Sequence, residues 1–409
     1  MSFCEVAAHY LPWWHSDPRL EQWHGKGWSA WDLIHAAHPR FENHRQPVKP
    51  AWGRADDSDP HFVVREIDLA ADHGVCSFLY HWYHDEEGPF LNDALDHGFL
   101  GAANADRMKF AIVWDNREVL AQHPALLSGT PGVLSSGVIK PQTFDAIARI
   151  WVERYFEHPS YLKIDGCPYL GIIDLVNFVR SMGGVEGARE AIERLQLKAA
   201  SAGLPGLHIC GMLWRLRDRK RWEPFGGVSA VTAGLPLDSV SPTHFLDHFE
   251  IASDTFPRGS YGKAVTANVA HWESEARGWA APYVPNITIG FDATPLCCPT
   301  DRFERRDFPF VPVLEGNTPA AVRSVMENAR AYLQRPDTKI KMVTISSWND
   351  WLTGASLLPD EAHGECYLEM LKRVFAREIV PTRSPGSHGT RTPNHGAVVS
   401  SARPPVGSR

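Results

Sequence analysis

The segment DPHFVVREIDLAADHGVCSFLYHWYHDEE, Asp59 to Glu87, holds the pattern on which the fold turns. Asp59 reads as an N-cap with Pro60 at the first helical position, Val63, Val64, Ile67, Ala70 and Ala71 recur at helical spacing, and Gly74 closes the helix. The unbroken run Val75-Cys76-Ser77-Phe78-Leu79-Tyr80 follows. A strand buried on both faces reads this way, and such strands belong to parallel sheets covered by helices. The run gives way at once to His81-Trp82-Tyr83-His84-Asp85-Glu86-Glu87, so the unit is helix, buried strand and polar strand end.

The alternation extends in both directions. Residues 5–11 read as a first strand, followed by the aromatic loop Pro12-Trp13-Trp14-His15 and a long polar stretch to Pro60. Downstream come a strand at 110–114, a helix near 144–156, a strand at 169–173, the helical stripe Ala188, Ala191, Ile192, Leu195 and Ala199, and a strand at 207–212. Residues 227–233 are the sixth strand candidate, 283–289 the seventh and 342–345 the eighth. A helix opening at Thr318-Pro319 precedes the eighth strand, and a last helix covers about 363–376. This order predicts the α/β class: a single (β/α)₈ TIM barrel with extended βα loops over residues 1–380. Residues 381–409, rich in Pro, Gly, Ser, Thr and Arg, predict a disordered tail.

With 409 residues, 44% hydrophobic and 22% charged, the chain has enough apolar material for one large core. Acidic residues outnumber basic ones, 48 to 41, and the body of the chain reads as free of Lys/Arg blocks, which excludes nucleic acid as a partner. The start, Met1-Ser2-Phe3-Cys4-Glu5-Val6, lacks the features of a secretory signal, and no run is long enough to span a membrane. Seven scattered cysteines without metal-type spacing read as reduced thiols in a cytoplasm. Fifteen tryptophans, 10 tyrosines and 20 histidines exceed what a core needs. Sugar clefts use such side chains, stacking rings on pyranose faces, although large aromatics also fill cores.

In a barrel of this type the chemistry sits just beyond each strand. Those positions hold His9 and Tyr10, His81 and Tyr83, Trp114-Asp115-Asn116, Asp174, Asp292, and Trp348-Asn349-Asp350-Trp351. Convergent carboxylates with aromatics point to glycosidic cleavage, which needs one carboxyl to protonate the leaving oxygen and another to attack, stabilise or activate water. The candidate catalytic residues are Asp350, Asp292, Asp115 and Glu87. The candidate sugar-binding residues are Tyr10, Trp13, His81, Tyr83, Trp114, Asn116, Asp174, Trp348, Asn349 and Trp351. Blander readings stand beside these: His9 and His81 as core histidines, Asp85 to Glu87 as a solvated loop, Trp348 and Trp351 as rim packing. There is no His-Glu-x-x-His pair, Gly-rich phosphate loop or Gly-x-Ser-x-Gly elbow, so neither metal nor cofactor is expected.

Several pieces also fall in a familiar order. They are Tyr10-Leu11-Pro12, Asp59-Pro60 through Gly74 into Phe78-Leu79-Tyr80-His81-Trp82-Tyr83, and Trp114-Asp115-Asn116. Tyr155-Phe156, His158-Pro159, Tyr161, Asp165-Gly166-Cys167-Pro168, Gly290-Phe291-Asp292-Ala293-Thr294-Pro295 and Trp348-Asn349-Asp350-Trp351 continue the set. From about residue 8 to 375 the chain resembles the WbsX-like proteins, a bacterial branch related to the endo-α-mannosidase and endomannanase barrels of glycoside hydrolase family 99. The resemblance implies hydrolysis of an α-mannoside- or rhamnoside-like bond in an oligosaccharide, polysaccharide or glycoconjugate. The family pattern at the eighth strand is Asn-Glu-Trp-x-Glu-Gly, whose first Glu assists the substrate 2-hydroxyl and whose second is the general acid/base. Here it reads Asn349-Asp350-Trp351-Leu352-Thr353-Gly354, and the family's downstream Glu-Pro is Leu358-Pro359. Three outcomes fit: a glycosidase in which Asp350 works with Asp292, Asp115 or a carboxylate of the 85–87 run, a glycosyltransferase or polysaccharide-tailoring enzyme, or a silent sugar-binding barrel.

Overall fold

In the computed structural model of the chain the described residues are 4–215, 218–243 and 256–375, and the expected tail at 381–409 lies outside them. Strand β1 (Glu5–Tyr10) leads through a long loop to helix α1 (Pro60–Asp72) and strand β2 (Ser77–Asp85). Asp59 caps α1, accepting from the His61 amide at 2.9 Å, and Val63, Glu66, Ile67 and Ala70 form its buried face. Next come β3 (Lys109–Trp114), α2 (Pro141–Ile150) continued by the π-helical turn Trp151–Phe156, β4 (Cys167–Ile172), α3 (Leu175–Ser181) and α4 (Val185–Ser201). The chain then forms β5 (His208–Met212), α5 (Val228–Gly234), β6 (Ser239–Ser241), α6 (Tyr261–Gly278), β7 (Asn286–Ile287), α7 (Pro319–Gln334), β8 (Met342–Ile345) and α8 (Cys366–Phe375).

The strands pair in parallel in the order β6-β5-β4-β3-β2-β1-β8-β7. The two ends meet at Val240, which donates to Pro282 O and accepts from Val284 N, both at 2.9 Å. The result is a closed (β/α)₈ barrel.

The weak sixth candidate proves wrong. Residues of the 227–233 stretch lie in α5, with Val228 half-buried and Val231 and Thr232 buried, a three-to-four spacing that a helix satisfies and a strand does not. The true sixth strand is the short Ser-Val-Ser of β6, which lacks an apolar run. The seventh is shorter than expected, because Pro282 and Pro285 have no amide to give a ladder, and only Asn286 and Ile287 pair with β8.

Register sets what each strand presents to either side. Tyr10 stands opposite Tyr80, and Trp82 opposite Trp114. These rings face outward to the helices: Tyr10 reaches Glu66 of α1, Trp82 lies 5.7 Å from Trp151, and Trp114 lies 5.6 Å from Phe144. One residue along, His9 and His81 meet on the opposite face. Across the barrel, Asn286 donates to Thr344 at 2.9 Å and accepts from Ser346 at 2.7 Å, so the interior near β7 and β8 is a satisfied polar layer.

Candidate active site

His81 is the hinge of a hydrogen-bonded cluster at the strand ends. Its Nδ1 lies 3.0 Å from Asp115 Oδ2, and its Nε2 lies 3.2 Å from His9 Nδ1. Asp115 follows β3 directly and is also gripped by Arg117, whose Nε donates to Oδ1 at 2.7 Å while a second guanidinium nitrogen reaches Oδ2. Burial pushes the Asp115 carboxyl up, but the Arg117 guanidinium and His81 outweigh it and hold the group well below the usual carboxylate range. Asp115 thus engages the Nδ1 side of the His81 ring and His9 the Nε2 side. Asp115 therefore orients His81; it is no source of protons.

Asp350 sits in a turn that caps itself. The Ser347 hydroxyl accepts from the amides of Asn349 at 2.9 Å and Asp350 at 2.6 Å. The Asp350 carboxylate in turn accepts from the Thr353 amide at 3.1 Å and from the Thr353 hydroxyl. Burial pushes this carboxyl up, and the Thr353 hydrogen bonds with nearby His81 offset that only in part. Thr353 thus serves to hold Asp350.

Asp292 is engaged on both oxygens. His44 Nε2 lies 2.9 Å and Gln46 Nε2 2.5 Å from Oδ2, while the Thr294 amide at 3.0 Å and hydroxyl at 2.7 Å donate to Oδ1. Burial raises its pKa, but these donors, His44 first, bring it below the ordinary value. Its amide also donates to Thr353 O at 2.6 Å, which places it beside the Asp350 turn. Glu87 stands apart. Its side chain is 70% exposed and lies 3.3 Å from Arg19, on the hairpin that prolongs β2. Asp85 is tied to Arg19 at 3.0 Å, and Glu86 accepts from the Lys140 amide.

The expected sugar-binding residues divide. Trp13 and Tyr83 join the His81 cluster: the indole donates to the Tyr83 hydroxyl at 3.1 Å, and that hydroxyl adjoins Asp115 and Arg117. Trp348 and Tyr10 instead share a buried carboxylate behind the barrel wall, donating to Glu66 at 3.0 and 2.8 Å. Trp114 packs among helices, and Trp351 is buried. Asn349 clasps the backbone of Leu11 at 2.8 and 3.1 Å. Asn116 clasps that of Asp174 at 2.8 Å in both directions, and Asp174 caps α3 and pairs with Arg221. These residues brace the mouth instead of lining it.

Sequence reasoning missed several groups. Glu66 lies on the apolar stripe of α1, between Val63 and Ile67, where a lone carboxyl was a legible signal. His44 and Gln46 come from a loop that no spacing argument ties to Asp292. Contrary to expectation, a basic block does interrupt the chain: Arg215, Arg217, Arg219, Lys220 and Arg221 crowd seven positions beyond β5. Among the described residues no group of three or more His, Cys, Asp or Glu side chains is arranged to hold a metal, and no helix is long and apolar enough to cross a membrane.

A closed parallel barrel with polar and carboxylate groups at its strand ends has the architecture of the barrel glycoside hydrolases. The chain belongs to the family described as glycosyltransferase WbsX, whose model matches residues 6–371. It is 22% identical over 391 residues to the uncharacterized protein WxcX of Xanthomonas campestris pv. campestris, in two strains, covering 91% of this chain and 50% of that protein. The chain thus spans about half the length of the curated relatives it matches. In fold it is similar to the GH99 endo-alpha-mannosidase of Bacteroides thetaiotaomicron in complex with bis-tris-propane, at 12% identity over 90% of this chain and 95% of that one, TM-score 0.54. A glycoside hydrolase-like protein matches at 16% identity, 92% and 94% coverage, TM-score 0.58.

Proposed function

We propose that the chain is a glycoside hydrolase acting on an oligosaccharide, polysaccharide or glycoconjugate with an α-mannoside- or rhamnoside-like bond. The observation that carries this reading is the contrast among the carboxyls at the strand ends. Asp115 and Asp292 are held below their ordinary pKa and engaged on every side, whereas Asp350 is pushed up. Glycosidic cleavage needs a proton donor less acidic than its neighbours, and of these three carboxyls only Asp350 is shifted upward, by burial, so the donor role goes to Asp350. His81, oriented by Asp115, is the second group at this centre, and the buried Trp13 and Tyr83 pack beside it. This chemistry requires no cofactor. Seven free cysteines suit a reducing compartment such as the cytoplasm.

A second reading, transfer of a sugar to an acceptor, draws on Thr353, whose hydroxyl holds Asp350 where an acid would stand, and on the family description. Sugar release from a panel of α-mannosides, rhamnosides and bacterial oligosaccharides, by wild type and Asp350→Asn, separates the readings. Hydrolysis with a loss of about a hundredfold or more in the variant is expected. Equal turnover in the two proteins overturns the assignment of Asp350. Activity strictly dependent on a nucleotide sugar selects the transferase, and sugar binding without turnover selects a silent barrel.

A further inference from the structure

The loop leaving β5 gathers positive charge in a chain whose formal net charge is −7. Arg215, Arg219 and Lys220 are exposed, and only Arg215 among them has an ion pair among the described residues, with Asp218 at 3.0 Å. Like charges this close repel one another, a cost that a soluble surface sheds readily unless an opposite charge is brought to it.

Trp214 and Arg221, which flank this run, stand at the working end of the barrel. Arg221 is held by Asp174, which follows β4, and Trp214 is covered by the Arg117 guanidinium, 4.6 Å from its ring centre, which follows β3. Three adjacent strand ends therefore converge here. Arg117 and Arg221 keep 27% and 15% of their side chains exposed while buried carboxylates fix them from behind. A guanidinium anchored on one edge and stacked on an indole is pre-organised to offer its remaining N–H groups to an oxyanion. Through Asp115 this cluster is one residue from His81.

We propose that Arg215, Arg219 and Lys220 beyond β5, with Arg117 and Arg221, receive an oxyanion, a phosphate or a carboxylate, carried by the sugar substrate. The inference rests on the proposed function in placing a sugar at this mouth, and its test reads binding instead of turnover, so the two fail separately.

The full chain is titrated by calorimetry with mannose 6-phosphate, with trigalacturonate and with neutral mannotriose. The double variant Arg219→Gln/Lys220→Gln changes only exposed positions outside the candidate catalytic cluster. At least one anion binds wild type, and its affinity falls roughly tenfold in the variant and further with added salt, while any mannotriose binding is unchanged. Binding of mannose 6-phosphate alone assigns the charge to a phosphate, and of trigalacturonate alone to a uronate. Failure of both anions to bind, or equal affinity in wild type and variant, overturns the proposal.

Discussion

Glu66 shows what one buried side chain does for the site without touching it. Its two oxygens accept from the Tyr10 hydroxyl and the Trp348 indole, tying α1 to β1 and to the segment that carries Asp350. Burial pushes the Glu66 carboxyl from 4.5 up to about 8, against the pull of those two hydrogen bonds. The folded chain therefore binds this proton more tightly than the unfolded chain does, and the resulting stability is present in full below pH 4.5 and lost as pH rises through about 8. Glu66→Gln removes the titration while keeping an acceptor for one donor. Urea midpoints measured across that window should fall more steeply with pH for wild type than for the variant. Parallel slopes would show that Glu66 does not titrate there. Composition and periodicity placed Glu66 on a helix, but the meaning of its position depended on a partner 282 residues away in sequence.

At the scale of elements, what the sequence made legible was whatever repeats locally. Seven strands and the main helices announce themselves by apolar runs and caps, as Asp59-Pro60 and Thr318-Pro319 show. Period-two alternation was readable too, yet applying it beyond strand ends needed the register, and so Tyr10, Trp114 and Trp348 were assigned to the mouth when they face helices. The turn that follows β8 illustrates a local device visible only in three dimensions. Ser347 gathers two amides and Asp350 gathers the amide and hydroxyl of Thr353, so the turn closes on its own side chains. Ser347→Ala leaves two buried amides without their acceptor and should cost about 1–3 kcal/mol. The measurement is chemical denaturation, accompanied by the emission of Trp348 and Trp351 on either side of the turn. An unchanged midpoint and unchanged emission would place the turn's stability in the surrounding packing instead.

On the scale of the whole molecule, the barrel is held shut by a thin seam and a clamp. The seam is the Val240 bridge between β6 and the segment leading into β7, where prolines deplete the ladder. The clamp is Asp292, beyond β7, which holds His44 and Gln46 of the long loop after β1 and its own neighbour Thr294. Contacts joining residues 246 and 248 positions apart cannot be inferred from spacing, which is why Asp292 looked catalytic when read from its place in the chain. Its saturated oxygens argue for a structural role, and the distinction is measurable. Asp292→Ala strips four donors of their acceptor and should destabilise the chain by about 3–5 kcal/mol. The loss should be local first, because both His44 and Gln46 of that loop are held by the one Asp292 carboxylate. Limited proteolysis at temperatures below global unfolding should then cut the variant within residues 38–50 while wild type resists. If Asp292 were instead a reacting group, the variant would keep the protease resistance of wild type and lose only turnover.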